Sequence, residues 1–281
     1  MKPLDKIVET LIINGTLTEQ LGLFSGKTGI AIFFFHYARH TGNELFEEYA
    51  FDLIDEIQKQ ITVTTSIRYD VGISGIGTGF EYLLQNDLIE AEEDDNIFEN
   101  FDDRMIRAAM YEPYPDLSLC EGLTGWGRYL IYRLRGTGHK NSKLHEALTH
   151  IANEIAQKIT AISVSEHEQP DVYRFLHDLA TLPAYVERYG DILQQCRDWK
   201  CIREPELLQI FPYMNNLQRL YACQNYFNRN LTEEIGQEWE KWKETDNNPL
   251  TDMGLLSGWV TEGLFHLTCF HHLDNSWLKL L

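Results

Sequence analysis

Paired cysteines are missing from this 281-residue chain: its five, Cys120, Cys196, Cys201, Cys223 and Cys269, are odd in number and contain no CxxC pair. That excludes a disulfide framework and a zinc ribbon, and it fits a reducing cytoplasm. No apolar run approaches the roughly 18 residues that a membrane span needs, the densest being Ile30 to Phe35. The opening Met1-Lys2-Pro3-Leu4-Asp5 has no apolar core of a secretory leader. Positive charge is scarce, 24 Lys and Arg against 43 Asp and Glu, a net charge of −19. Such a surface repels nucleic-acid backbones and anionic membranes; it serves solubility and suits a basic peptide or protein partner. Strand signals are few, the best being the short Ile61-Thr62-Val63-Thr64-Thr65. No Ser-His-Asp order or dinucleotide fingerprint is found, and Gly26-Lys27-Thr28 fails as a P-loop because Gly22 stands one residue too close and no strand precedes it.

What is present is an ordinary globular composition, 43% hydrophobic and 24% charged, which excludes disorder as the dominant state. A chain of this length buries roughly three quarters of its unfolded surface and needs no staples. A glycine pattern organises it. Gly22-Leu23-Phe24-Ser25-Gly26-Lys27-Thr28-Gly29 precedes the apolar segment from Ile30 to Phe35, and Gly72-Ile73-Ser74-Gly75-Ile76-Gly77-Thr78-Gly79 precedes Phe80 to Leu84. Leu119-Cys120-Glu121-Gly122-Leu123-Thr124-Gly125 precedes Trp126 to Tyr132, and Gly254-Leu255-Leu256-Ser257-Gly258-Trp259 precedes Val260 to Cys269. Aligning Gly26, Gly75 and Gly122 gives steps of 49 and 47, and Gly258 follows 136 residues later, close to three further steps. A fixed period of this size marks repeated supersecondary units. Asp171 to Val186 and Phe211 to Phe227 are the candidate apolar helices of two units that lack the motif.

Between the motifs lie amphipathic stretches. Asn43 to Ile61 carries Leu45, Phe46, Tyr49, Ala50, Leu53, Ile54 and Ile57 at helical spacing, and Ser142 to Ile162 carries Leu144, Ala147, Leu148, Ile151, Ile155 and Ile159. A helix that is apolar all round must be enclosed by protein, whereas one with a single apolar stripe can face water. Alternation of the two kinds predicts an all-α fold in one domain, 1–281, with about five or six outer/inner helix pairs arranged as concentric rings. Thr41-Gly42 and Gly136-Thr137-Gly138 are expected to end helices, and the acidic run Glu90 to Asp103 is expected to be an exposed loop. The motif glycines Gly26, Gly29, Gly75, Gly77, Gly122, Gly125 and Gly258 are expected to line the end face of the ring, with unpaired backbone N–H groups directed at whatever lies there.

At these glycine segments the chain resembles the lanthionine synthetase C-like (LanC-like) family, whose short motifs of a small residue or His followed by Gly-x-x-Gly open the inner helices of an α/α toroid. Ser25-Gly26-Lys27-Thr28-Gly29, Ser74-Gly75-Ile76-Gly77, Glu121-Gly122-Leu123-Thr124-Gly125 and Ser257-Gly258 carry the resemblance. It implies a cytoplasmic role in maturing ribosomally made, lanthipeptide-type peptides. It also implies a zinc ion, held by Trp-Cys-x-Gly and Cys-His-Gly segments, that activates a peptide cysteine for thioether formation. Neither segment is present: Trp199-Lys200-Cys201 has its Cys shifted and no following Gly, and Cys120-Glu121-Gly122 has Glu where His would stand. The expectation is a member that binds a peptide at the ring's end face without the usual zinc site. The alternatives are a cyclase with altered ligands, a carbohydrate-active α/α toroid with two carboxylates roughly 5–9 Å apart, and a non-catalytic helical-repeat adaptor.

Individual residues sharpen this reading. Cys120, at the mouth of an inner helix, is the leading candidate for a reactive thiol or a metal ligand, on the argument that a helix N-terminus lowers a thiol pKa. Glu121 is a candidate base or ligand. Asp70, after Tyr69, and Asp116 are candidate acid–base carboxylates, with helix capping as the plainer role. His36 and His40 have metal-compatible spacing, as do Cys269 and His272, but a structural role is expected for these and for His266 and His271. Lys27 is expected on the surface, and Trp126 and Trp259 in the core or a cavity wall.

Overall fold

The computed structural model describes residues 3–90, 97–136, 138–203, 210–244 and 252–281. Among the described residues the chain is all-α, with no strand. The helices are α1 (Leu4–Leu17), α2 (Lys27–Thr41), α3 (Glu44–Gln60), α4 (Ile73–Gln85) and α5 (Glu99–Tyr111). They continue with α6 (Leu123–Arg135), α7 (Ser142–Thr160), α8 (Gln169–Leu179), α9 (Pro183–Cys196) and the short α10 (Lys200–Arg203). Last come α11 (Asn216–Tyr226), α12 (Thr232–Glu244) and α13 (Trp259–His271), followed by a 3-10 turn at Ser276–Leu280. No described helix is long and apolar enough to cross a membrane. The segment Ile61 to Thr65 is irregular; isolated β-branched residues have no partner strand to pair with.

The chain divides into two compact units, Met1–Thr62 with Pro212–Leu281, and Val63–Phe211. In the second unit α4, α6 and α8 pack as one row, and α5, α7 and α9 cover them. The sequence pattern explains the layering. α6 is buried from Leu123 to Leu134, whereas α7 buries one stripe: Leu144, Ala147, Leu148, Ile151, Ala152 and Ile155. In the first unit α2, buried from Lys27 to Ala38, packs on α13 and is covered by α3 through Ala50, Leu53, Ile54 and Ile57. Asn43 caps α3 and Asn141 caps α7 through their side-chain oxygens. Gly42, at φ 65°, ends α2 in the left-handed conformation, and Gly136 closes α6, as expected.

A second contact repeats along the buried helices. Gly77 of α4 faces the Tyr129 ring of α6, and Gly127 of α6 faces the Phe175 ring of α8; a Cβ on either glycine would lie 2.4 Å from the ring. Gly263 of α13 receives the Phe33 ring of α2 at the same 2.4 Å. In each pair the glycine is five residues past the residue capping its own helix, and the aromatic is seven past the cap of the partner. Two of the three glycines lie outside the sequence motif's core, so they act in helix-to-helix packing rather than at a helix mouth.

Two expectations are corrected. The stretch Asp171 to Val186 is not one helix: α8 stops at Leu179, and Pro183 opens α9 as its first residue, because proline fits the first helical turn and restricts the residue before it. The acidic run Glu90 to Asp103 is only partly accounted for: 91–96 lie outside the described residues, and Glu99 to Asp103 begin α5. Asp102 of that run is buried. It accepts from Arg133 Nε and Nη2, both at 2.9 Å, while Arg133 Nη1 reaches Glu81 Oε2 at 2.6 Å. Tyr129 also donates to Asp102, and the Arg133 guanidinium lies 3.8 Å over the Phe98 ring. One arginine thus ties α4, α5 and α6 together through two buried carboxylates. Arg133→Ala, which strands both, is expected to cost about 3–5 kcal/mol in urea unfolding; a loss under about 1 kcal/mol would place the network among dispensable surface pairs.

Candidate functional site

Each glycine motif folds by one local rule. The caps of α2, α4, α6 and α13 are Gly26, Gly72, Gly122 and Gly258, so the second motif registers on Gly72, three residues before the Gly75 used in the sequence alignment. Their φ angles, from −140° to −101°, suit any residue. What demands glycine is proximity: a Cβ would lie 2.5, 2.1, 2.4 and 2.3 Å from the backbone oxygen of Gln20, Ser66, Asp116 and Asp252, each six residues upstream. The loop so closed uses the helix's own free donors. Lys27, Ile73, Leu123 and Trp259 each donate their N–H to the carbonyl seven residues before, at 2.9, 2.7, 3.1 and 3.0 Å. Thr28 Oγ1 donates to Leu21 O at 2.6 Å and Thr124 Oγ1 to Leu117 O at 2.9 Å. The expectation of unpaired N–H groups at these first-turn residues is therefore corrected: the chain's own carbonyls occupy them. All seven motif glycines named above are buried.

At three of the four motifs the side chain six residues before the cap closes a smaller turn. Ser66 Oγ accepts from Arg68 N at 3.3 Å, Asp116 Oδ1 from Ser118 N at 2.8 Å, and Asp252 Oδ1 from Gly254 N at 2.9 Å. Asp116 thus shapes its own loop and does not cap the helix that follows, whose cap is Gly122.

The α4 and α6 motif loops lie against each other, with Tyr69 N donating to Cys120 O at 2.8 Å. This brings Asp70 together with Cys120 and Glu121, three candidates separated by some fifty residues of chain. Their hub is Arg68, which the sequence reading passed over. Its Nε and Nη2 donate to Asp70 Oδ1 and Oδ2 at 2.9 and 2.6 Å, and Nη1 pairs with Glu121 Oε1 at 2.8 Å. Asp70 also accepts from Val71 N. From α8, Asp171 Oδ2 accepts from Leu119 N at 2.9 Å, while Glu168, its cap residue, accepts from Leu117 N at 2.8 Å. Two α8 carboxylates thereby hold the loop that presents Cys120. Beside them, a cavity with room for about one water is lined by Thr124, Arg128, Asp171, Arg174 and Asp178 among others. Burial opposes the charge on Asp178, but Arg128, Arg135 and Arg174 outweigh it and hold this carboxyl below its usual range.

Electrostatics reverse the expectation for Cys120. Burial, then the charges of Asp70 and Asp171, push its thiol up to about 12, against the opposing pull of Arg68. It is a neutral thiol at physiological pH. Cys120 lies in the loop two residues before the cap Gly122, outside the helix itself.

The donor set does not fit a zinc ion. Zinc needs several ligands free to turn toward it, and the two carboxylates beside Cys120, Asp70 and Glu121, are both engaged by Arg68. Among the described residues no group of three or more His, Cys, Asp or Glu side chains is placed to hold a metal. Cys201 of the Trp199-Lys200-Cys201 segment donates to Gln169 Oε1 at 3.4 Å. His272 caps α13 at φ 60°, past the last helical residue, so it shares no helical face with Cys269. His36 is buried, and burial, with Arg39, lowers its pKa to about 4 despite Asp274. Lys27 is buried too, paired with Glu56 of α3, against the expectation of exposure. Trp126 and Trp259 are core.

A family model described as Lanthionine synthetase C-like protein matches residues 19–177, more than half of the chain. The match takes in the motifs at Gly26, Gly72 and Gly122 together with Asp70, Cys120 and Glu121. No curated protein matches the chain.

The neutral state of Cys120 is measurable by iodoacetamide alkylation followed peptide by peptide. Its rate should still be climbing at about pH 10, and Asp70→Asn, which removes a repelling charge, should speed it by about threefold or more at fixed pH. A plateau near pH 8.5, the behaviour of an ordinary thiol, would contradict the account.

Proposed function

Because the chain belongs to the lanthionine synthetase C-like family, we propose that it binds a ribosomally made peptide during its maturation, at the Arg68–Asp70–Glu121 cluster, without a zinc-activated thiolate. The reading takes 1–281 as one toroid domain working in the cytoplasm, where its five free thiols would stay reduced. The observation that carries it is the meeting of two motif loops at one arginine. Asp70 is the sheltered partner, with its side chain 17% exposed; Arg68 and Glu121, at 38% and 48%, form the accessible edge.

That edge can recognise but is poorly equipped for chemistry. Cys120 lacks the ionisation of a nucleophile, and the two carboxylates are committed to Arg68. A lysine or arginine of a peptide can take over Glu121, leaving Arg68 oriented by its bidentate pair with Asp70. Exposed ion pairs are worth about 0–1 kcal/mol each, so affinity requires several contacts along the peptide. The net charge of −19 steers basic segments toward the protein and makes binding salt-sensitive.

Fluorescence anisotropy with a labelled lysine-rich peptide and a glutamate-rich peptide of equal length tests the reading. The lysine-rich peptide should bind, weaken as salt rises, and bind about fivefold or more weakly to Glu121→Lys; the glutamate-rich peptide should not bind. Equal binding of both, or no change in the variant, would overturn it. Elemental analysis of protein purified without chelator tests the zinc-free part. Near-stoichiometric zinc that disappears in Cys120→Ala would restore the alternative of a cyclase with altered ligands.

A further inference from the structure

The C-terminal ends of α2 and α13 meet through histidines. His40 is next to last in α2 and His271 is the last residue of α13; their ring centroids are 4.1 Å apart. His266, earlier on α13, lies 5.6 Å from His271 with ring planes at 20°. Three imidazoles from two helices therefore form one cluster. His266 Nδ1 is buried with no hydrogen-bond partner among the described residues.

Among the described residues no acidic group acts on His266 or His271. The groups acting electrostatically on His271 are His40 and His272, and those acting on His266 are His271 and His40. Asp274, beyond the end of α13, acts with Arg39 of α2 on His36, and Lys279 acts on Asp274. From α1, Asp5 faces Tyr37; from α3, the Phe46 ring packs on Tyr37; from α12, Glu240 and Lys243 face Cys269.

We propose that this cluster is an acid-sensitive joint: it holds one proton, and a second drives the ends of α2 and α13 apart. Both helices end here, and a helix C-terminus welcomes a positive charge, so the first proton is accommodated. A second places like charges on touching rings, and no carboxylate among the described residues acts on His266 or His271 to offset it. Burial first, then the neighbouring imidazoles, lower the pKa of His266 and His271, in agreement with that geometry. The sign follows. The folded state favours the neutral forms of His266 and His271, so their contribution is intact above the unfolded histidine value of about 6.5 and is lost as pH falls below it. The joint links the first and last buried helices of its unit, α2 and α13, so acid would loosen that unit.

Histidine NMR titration with amide hydrogen exchange tests the joint in the wild type and in His271→Gln. Removing the middle ring should raise the His266 midpoint by about half a pH unit or more. Exchange in the last turns of α2 and α13, corrected for intrinsic rate, should speed about tenfold between about pH 7.5 and about pH 5.5 in the wild type and much less in the variant. A His266 midpoint unmoved by the substitution, or wild-type exchange insensitive to pH, would overturn the proposal. His40→Gln, at an exposed position, gives the same reading should His271→Gln fold poorly.

Discussion

Each glycine-motif helix depends on a close approach: the residue capping the helix touches the backbone oxygen of the residue six positions upstream. At 2.1 to 2.5 Å from the place a Cβ would occupy, only glycine fits. The approach lets the first helical N–H reach a carbonyl seven residues back, so each helix begins inside a loop closed on itself. Buried helix starts would otherwise leave unpaired donors, a cost that the loop removes. Because the rule recurs at Gly26, Gly72, Gly122 and Gly258, four helices start alike and can pack in equivalent registers. The Gly77–Tyr129 and Gly263–Phe33 contacts are the consequence, and Gly127–Phe175 repeats the spacing on α8, whose cap is Glu168.

The same constraint makes the site. Two closed loops pressed together leave short turn residues as the surface they present, and at α4 and α6 those are Arg68, Asp70, Cys120 and Glu121. Here one guanidinium is shared between two carboxylates. Arginine stays charged at any physiological pH and its fork matches a carboxylate, so Asp70 fixes its plane. Burial and the neighbouring carboxylates together keep Cys120 protonated, and under the proposed function Glu121, one of those carboxylates, is also the edge offered to a basic segment.

Much of the fold was readable from the sequence. The stripes of α3 and α7 set those helices to within a residue or two of their observed ends, and Thr41-Gly42 marked the end of α2. The register slipped at Gly72 because Gly-Ile-Ser-Gly-Ile-Gly offers three glycines, and only the contact with Ser66 O distinguishes the first. Pro183 did carry a signal that α8 and α9 are separate, hidden by the apolar residues on both sides. Of the site, Asp70, Cys120 and Glu121 could be named, but their meeting could not. The raised thiol pKa depends on burial, then on Asp70 and on Asp171, which reaches the Cys120 loop from α8, and the burial of Lys27 depends on Glu56 of α3. Such charge pairs across distant segments leave no periodic trace in a single chain.

The most direct measurement is urea unfolding of Gly72→Ala beside Gly190→Ala, two substitutions in the same compact unit. Gly190 lies within α9 with nothing within 4 Å of a Cβ, whereas at Gly72 a Cβ meets Ser66 O at 2.1 Å. The account predicts a gain of up to about 1 kcal/mol for Gly190→Ala, from helix propensity, and a loss of roughly 1–3 kcal/mol or more for Gly72→Ala, from forced displacement of the loop. Equal effects at the two positions would contradict the claim that the capping glycine holds each helix start.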